Sequence, residues 1–230
     1  MNIYKNRPNL MIGFHGCDES VRNDLINNPN KIKKSQEAFD WLGNGIYIWE
    51  NNYLRALKWA VDKQERGKLS TPSVIGVVYQ LDYCLDFADS EFIEILADYY
   101  ELLKKDLLIA GKDLPTNKDL PNDEYHDLIL REPDCAVIEY MHQKTEGKIN
   151  KDIETKGFSE YKSFDTVRGI FTEGGPAFEG ACIQTKNHIQ ICIRNSNCIK
   201  GFFIPRNEVK FPQFSTSVLL YILVNFIKSN

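Results

Sequence analysis

A β-rich chain interrupted once by a long helical stretch is what most restricts the fold of these 230 residues. From about Phe87 to Tyr161 the apolar residues recur at helical spacing (Phe92, Ile93, Leu96, Tyr99, Tyr100, Leu103), broken by the turn-rich stretch Gly111 to Asp123. A second helix is expected after Pro133, with Ala136, Val137, Tyr140 and Met141 on one side. Both flanks read as strands. Leu10, Ile12 and Phe14 alternate and end in His15–Gly16, after which Asp18 and Ser20 offer caps for a short helix carrying Val21, Leu25 and Ile26. Ile46 to Trp49 is a second strand, followed by a helix capped by Asn51 or Asn52 with Leu54, Leu57 and Val61 on one face. Val74 to Leu81 is a β-branched run bounded by Pro72 and Asp82, and Gly169–Phe171, His188–Ile193 and Ile199–Ile204 complete the strands. The expectation is one α+β domain over 1–230, with a helical insertion at about 87–161 and an apolar C-terminal segment at 215–228.

Composition narrows the function classes. Apolar types at 43% and charged types at 26% match a folded globular chain, which excludes disorder and coiled coil. A net charge of −4 removes the global basic field that drives sequence-independent nucleic-acid binding. No C-x-x-C pair occurs among the six cysteines, so zinc spacing is absent and no metal is expected. Charges interleave with the apolar residues of the first fourteen positions, and the run Val218–Val224 is shorter than the ~20 residues that span a bilayer. A cytoplasmic protein with free thiols and no membrane association is expected, its apolar C-terminal run either a packed helix or a partner surface.

Three segments place glycines beside a polar or aromatic side chain at a strand end. Gly13–Phe14–His15–Gly16 pairs an imidazole with a residue that lets a ligand approach the backbone; a plain strand-end turn fits equally. Gly43–Asn44–Gly45 before Tyr47 frees the backbone around a flat ring, or forms an ordinary turn with core aromatics. Phe171 to Gly180 holds Glu173, Pro176, Phe178, Glu179 and three glycines, and runs on to a strand with Gln190 near its start; it reads as a flexible substrate-facing loop or as a solvated one. Rossmann binding is disfavoured, because the G-x-G lies before the strand and lacks a third glycine. Arg168 could clamp a pyrophosphate bidentately or pair with Asp165 at the surface.

The order of these segments resembles the ADP-ribosyltransferase superfamily, in the His–Tyr–Glu branch that includes the poly(ADP-ribose) polymerases and diphtheria-type toxins. Gly43 to Asn51 (GNGIYIWEN) is similar to the G-x-G-I-Y-F-x-E-N stretch of tankyrase-like members. The resemblance covers roughly 10–85 and 165–205, and in size the chain looks like the toxin-like members of bacterial conflict, antiviral defence and toxin–antitoxin systems. It implies a split antiparallel sheet and NAD as co-substrate. His15 would bond the adenosine-side ribose, Gly16 would offer its backbone to the nicotinamide amide with Gly45 nearby, and Tyr47 would stack on the nicotinamide. The second aromatic falls on Trp59 with an offset of one residue. Gln190 stands where the family has its catalytic Glu. That departure leaves a hydrogen bond without a charge at an oxocarbenium-like centre, and Glu173 or Glu179, from the acceptor-contacting loop with Phe178, could supply the carboxylate, with Glu173 preferred.

The function implied is mono-ADP-ribosyl transfer to RNA, DNA or protein, with an antitoxin as a possible partner. The alternatives are NAD glycohydrolysis and a degenerate module that binds NAD or ADP-ribose without turnover. Lys31, Lys33, Lys34, Lys186, Arg194, Lys200 and Arg206 form either a basic stripe along one groove or a solvated rim.

Overall fold

The computed structural model describes residues 6–7, 9–121 and 123–206, so the apolar segment 215–228 lies outside the described residues. Eight strands form one sheet: β1 (Asn6–Arg7), β2 (Met11–Asp18), β3 (Ile46–Glu50), β4 (Pro72–Tyr79), β5 (Asp82–Asp86), β6 (Thr166–Phe171), β7 (His188–Ile193) and β8 (Ile199–Phe203). Their order is β1-β5-β6-β7-β3-β2-β4-β8. Every neighbouring pair is antiparallel except β5–β6. Parallel neighbours need a long crossover, and the connection between β5 and β6 carries the two long helices, α3 (Ser90–Ile109) and α4 (Glu132–Lys156). The helical stretch is thus a pair of helices bridged by a loop. They pack through Tyr99 against Tyr140 and through Asp106, which accepts from Tyr140 Oη and Lys144 Nζ. The fold is α+β.

Alternation along the strands separates two cores. Ile46, Ile48, Val77, Tyr79, Ile191 and Ile193 pack on one face. On the other, Val167, Phe171 and Cys192 meet Leu42, Phe92 from α3 and Met141 from α4. The short helix α1 (Glu19–Asn27) is capped by Asp18, and α2 (Tyr53–Glu65) by the Asn52 side chain, which accepts from Arg55 N.

Two strand readings are corrected. β2 does not end at His15–Gly16; it pairs with β4 through all eight residues and stops at Asp18, where the carboxylate accepts from Ser20 N, Ser70 N and Thr71 N. β5 is a further strand that no local pattern in the sequence marks. Asp82 sits at φ 46, a local kink where the chain passes from β4 into β5, and the five residues of β5 carry no clean alternation.

Candidate functional site

The pairing of β2 with β3 is confined to Gly13↔Glu50 and Phe14↔Trp49, with Asn51 N donating to Ile12 O at the adjoining step. Beyond Phe14 the two strands separate. In a continued ladder the Tyr47 carbonyl would accept from Gly16 N–H; here it is bonded to His15 Nδ1, 2.7 Å away. The imidazole therefore replaces a ladder bond and the Gly16 backbone faces an opening in the sheet. Because Nδ1 meets a carbonyl it carries the proton, which leaves Nε2 as an acceptor. Burial lowers the His15 pKa, favouring that neutral form, although the Tyr47 carbonyl works in the opposite direction.

Gly16 is required for packing. A Cβ there would drive into the Ala56 carbonyl of α2, and Trp59 Cε3 lies 3.2 Å from the same point. Trp59, half-buried, also lies 5.4 Å from the Trp49 ring and has Lys63 Nζ 4.0 Å above it, whereas Lys58 is exposed. Of the two residues it is Trp59 whose side chain turns from α2 toward the sheet. Tyr47 is tethered: its hydroxyl donates to Gly43 O (2.6 Å) and accepts from Leu42 N (2.8 Å), and burial holds it protonated well above the usual tyrosine range. The Leu42–Gly45 turn is fixed from outside by Glu139, which accepts from Asn44 N and pairs with Arg194.

A second group of polar residues lies on the face that holds Trp49, which pairs across strands with Gln190, itself opposite Gly169. Gln190 is buried, and His188, two residues earlier, shares its face. Glu173 is turned inward and only 1% exposed. It forms an ion pair with Arg55 Nη2 of α2, and its Oε1 lies 3.4 Å from His188 Nδ1. His188 Nδ1 donates to Lys186 O at 2.8 Å. Its ring packs among Trp41, Trp49 and Phe171. Burial is the main cause that brings the His188 pKa down to about 4, with the Arg55 and Arg131 cations adding to it against the Lys186 carbonyl, so the ring is neutral at pH 7. Arg131 itself stacks 4.0 Å over Trp41 and 4.9 Å over Phe171. Among the described residues, Trp49 Nε1, Arg55 Nε and Nη1, Glu173 Oε2 and His188 Nε2 are buried without a hydrogen-bond partner.

The segment after β6 is an ordered hairpin rather than a flexible loop. Lys186 N donates to Glu173 O, Thr185 N to Gly175 O and Ala177 N to Ile183 O. Gly174 N also donates to Asp127 at 2.9 Å. Phe178 (69% exposed) and Glu179 stand at the hairpin's outer end, so Glu179 does not reach inward.

Three expected binding residues are placed elsewhere. Arg168 donates to both oxygens of Glu50 (2.8 and 3.2 Å) and to Asp86 (3.2 and 3.3 Å), leaving no free fork for a pyrophosphate and no pair with Asp165. Gly45 exchanges both backbone groups with Ser35, and a Cβ there would collide with Cys192 Sγ, so strand packing accounts for it. Arg194, in the basic stripe, is committed to Glu139 and Asn44 O. Arg55 and His188 were missed as site residues. Arg55 meets a carboxylate 118 positions away, a separation that leaves no local signal, and His188 read only as the start of a strand.

Comparison with protein-family models, curated proteins and solved structures finds no match.

Proposed function

We propose that the chain is an NAD-dependent mono-ADP-ribosyltransferase of toxin-like type, on a split-sheet core of the ADP-ribosyltransferase kind. The observation that carries this reading is the opening between β2 and β3, where His15 takes the carbonyl that would otherwise bond Gly16. That leaves the Gly16 amide at the gap between the strands without the Tyr47 carbonyl, beside an imidazole whose Nε2 is an acceptor, a set suited to a planar carboxamide and a ribose hydroxyl. Tyr47 and Trp59 border it with aromatic surface. Gln190 supplies a hydrogen bond at the position of the usual glutamate, and the inward Glu173 supplies the negative charge that an oxocarbenium-like ribose needs as nicotinamide departs. Phe178 and Glu179, on the outer part of the hairpin, are the contacts offered to a macromolecular acceptor.

Incubating the purified protein with adenylate-labelled NAD and whole lysate tests the reading. Label is expected in a macromolecular fraction as single ADP-ribose units, and nuclease or protease digestion identifies whether the acceptor is RNA, DNA or protein. His15→Ala and Tyr47→Ala are expected to abolish transfer. Label recovered only as free ADP-ribose would make the chain a glycohydrolase, and undiminished transfer by both variants would overturn the assignment of the site.

A further inference from the structure

We infer that Arg55 and His188 are positioning residues that convert a hairpin carboxylate, Glu173, into the anionic group of the reaction centre; this rests on the function proposed above. A glutamate just before two positive-φ glycines, Gly174 and Gly175, would by itself remain in solvent, since a buried lone carboxylate is strongly disfavoured. Arg55 changes that. It projects from α2, whose first turn is fixed by the Asn52 cap, and engages a single oxygen, Oε1, through a single nitrogen, Nη2. His188 presents its Nδ1–H edge to the same oxygen at 3.4 Å while bonding Lys186 O, and Arg131, stacked on Trp41 and Phe171, adds a second cation on that side.

The pairing is not arranged for stability. A pair built for stability would be bidentate and would satisfy every buried atom. Here Glu173 Oε2, His188 Nε2, Trp49 Nε1 and two guanidinium nitrogens of Arg55 are left without partners, all of them buried. Each such atom carries a cost that native structures avoid unless water or a ligand meets it. One carboxylate oxygen held and the other left open is the arrangement of a group oriented toward something else. The neighbour on the same sheet face is Gln190, the strand position whose own charge is absent. The charge on this face is carried by the hairpin and not by the strand, and Arg55 and His188 fix where it sits.

The test is steady-state nicotinamide release from NAD, with kcat and KM separated, by the full chain and by Glu173→Gln, Arg55→Gln, Arg55→Lys, His188→Gln and the double variant Arg55→Gln/Glu173→Gln, with thermal melting as a check on folding. Glu173→Gln is expected to lower kcat by about 10²–10³-fold with little change in KM. Arg55→Gln is expected to lower kcat by about 10–10²-fold, Arg55→Lys to restore most of that loss, and His188→Gln to cost about 10-fold, because they act through a carboxylate that is still present. The double variant, which leaves no lone buried charge, is expected to fold and to turn over no slower than Glu173→Gln alone, since both changes act through one group. Wild-type turnover with Arg55 and His188 variants unimpaired would overturn the positioning role and leave the proposed function standing, as would losses in the double variant that multiply. Losses that track melting temperature, with Arg55→Lys no better than Arg55→Gln, would make the pair merely structural. Absence of nicotinamide release by the unmodified protein would overturn both readings.

Discussion

Two arginines lie against glutamates on opposite faces of the same sheet, and they are bonded very differently. Arg168 of β6 uses Nε, Nη1 and Nη2 on Glu50 and Asp86, and the Glu50 hydrogen bond is the leading cause that raises its pKa. Arg55 of α2 uses one nitrogen on Glu173 and buries two more without partners. The first is a network that joins β3, β5 and β6 and engages all three guanidinium nitrogens. The second is left open, beside an uncharged histidine and a buried glutamine. In the sequence, Arg168 reads either as a clamp for a pyrophosphate or as a surface partner of Asp165; its bonds to Glu50 and Asp86 assign it to the framework and direct attention to Arg55.

The largest effect expected from this contrast is on turnover. Glu173→Gln should reduce nicotinamide release by about 10²–10³-fold, whereas Arg168→Gln should leave turnover per folded molecule within a few-fold, both read from initial rates normalised to folded protein. Stability should respond the other way. Removing Arg168 takes the cation away from two partly buried carboxylates, Glu50 and Asp86, and chemical denaturation should show a loss of about 3 kcal/mol.

Of similar size is the effect of acid. Burial brings the His188 pKa down to about 4 and that of His142, packed against Phe164 with Nε2 unpartnered, to about 3. The unfolded chain takes up these protons near pH 6.5 and the folded chain only at the lower values, so the neutral rings stabilise the fold above about 6.5. That contribution falls as pH drops from about 6.5 to 4, by on the order of 3 kcal/mol per histidine over that span, and denaturation midpoints across pH 7 to 4 measure it. A midpoint that does not fall over that range would mean that the two histidines are not neutral in the fold.

The opening between β2 and β3 gives smaller effects. Gly16→Ala pushes a methyl into the Ala56 carbonyl and should cost about 1–3 kcal/mol of stability by displacing α2, seen as a lower melting temperature. Tyr47→Phe removes the bonds to Gly43 and Leu42 while keeping the ring, and should cost about 1 kcal/mol.

What was legible in the sequence follows from range. The caps at Asp18 and Asn52, the strand at Val74, the late strands and the two-helix insertion are local patterns, and they are found within a few residues of where spacing put them. His15, Gly16, Tyr47 and Trp59 adjoin one another because β2, β3 and α2 follow closely in the chain. Glu173 was weighed as a loop acid able to turn inward, and it does so. The means by which it does so is not legible in the sequence, because the ion pair with Arg55 joins residues on either side of the helical insertion, 118 positions apart. For the same reason Arg168 looked available: its partners are 118 and 82 positions distant.

The central claim is that NAD is cleaved in the cleft framed by His15 and Tyr47 with Glu173 as its anion. Nicotinamide release by the purified protein, measured beside His15→Ala, Glu173→Gln and Arg168→Gln under one set of conditions, tests it most directly. The account predicts release by the unmodified chain and by Arg168→Gln, and its near-complete loss in the other two. Equal release by all four proteins, or release lost only in Arg168→Gln, would contradict it.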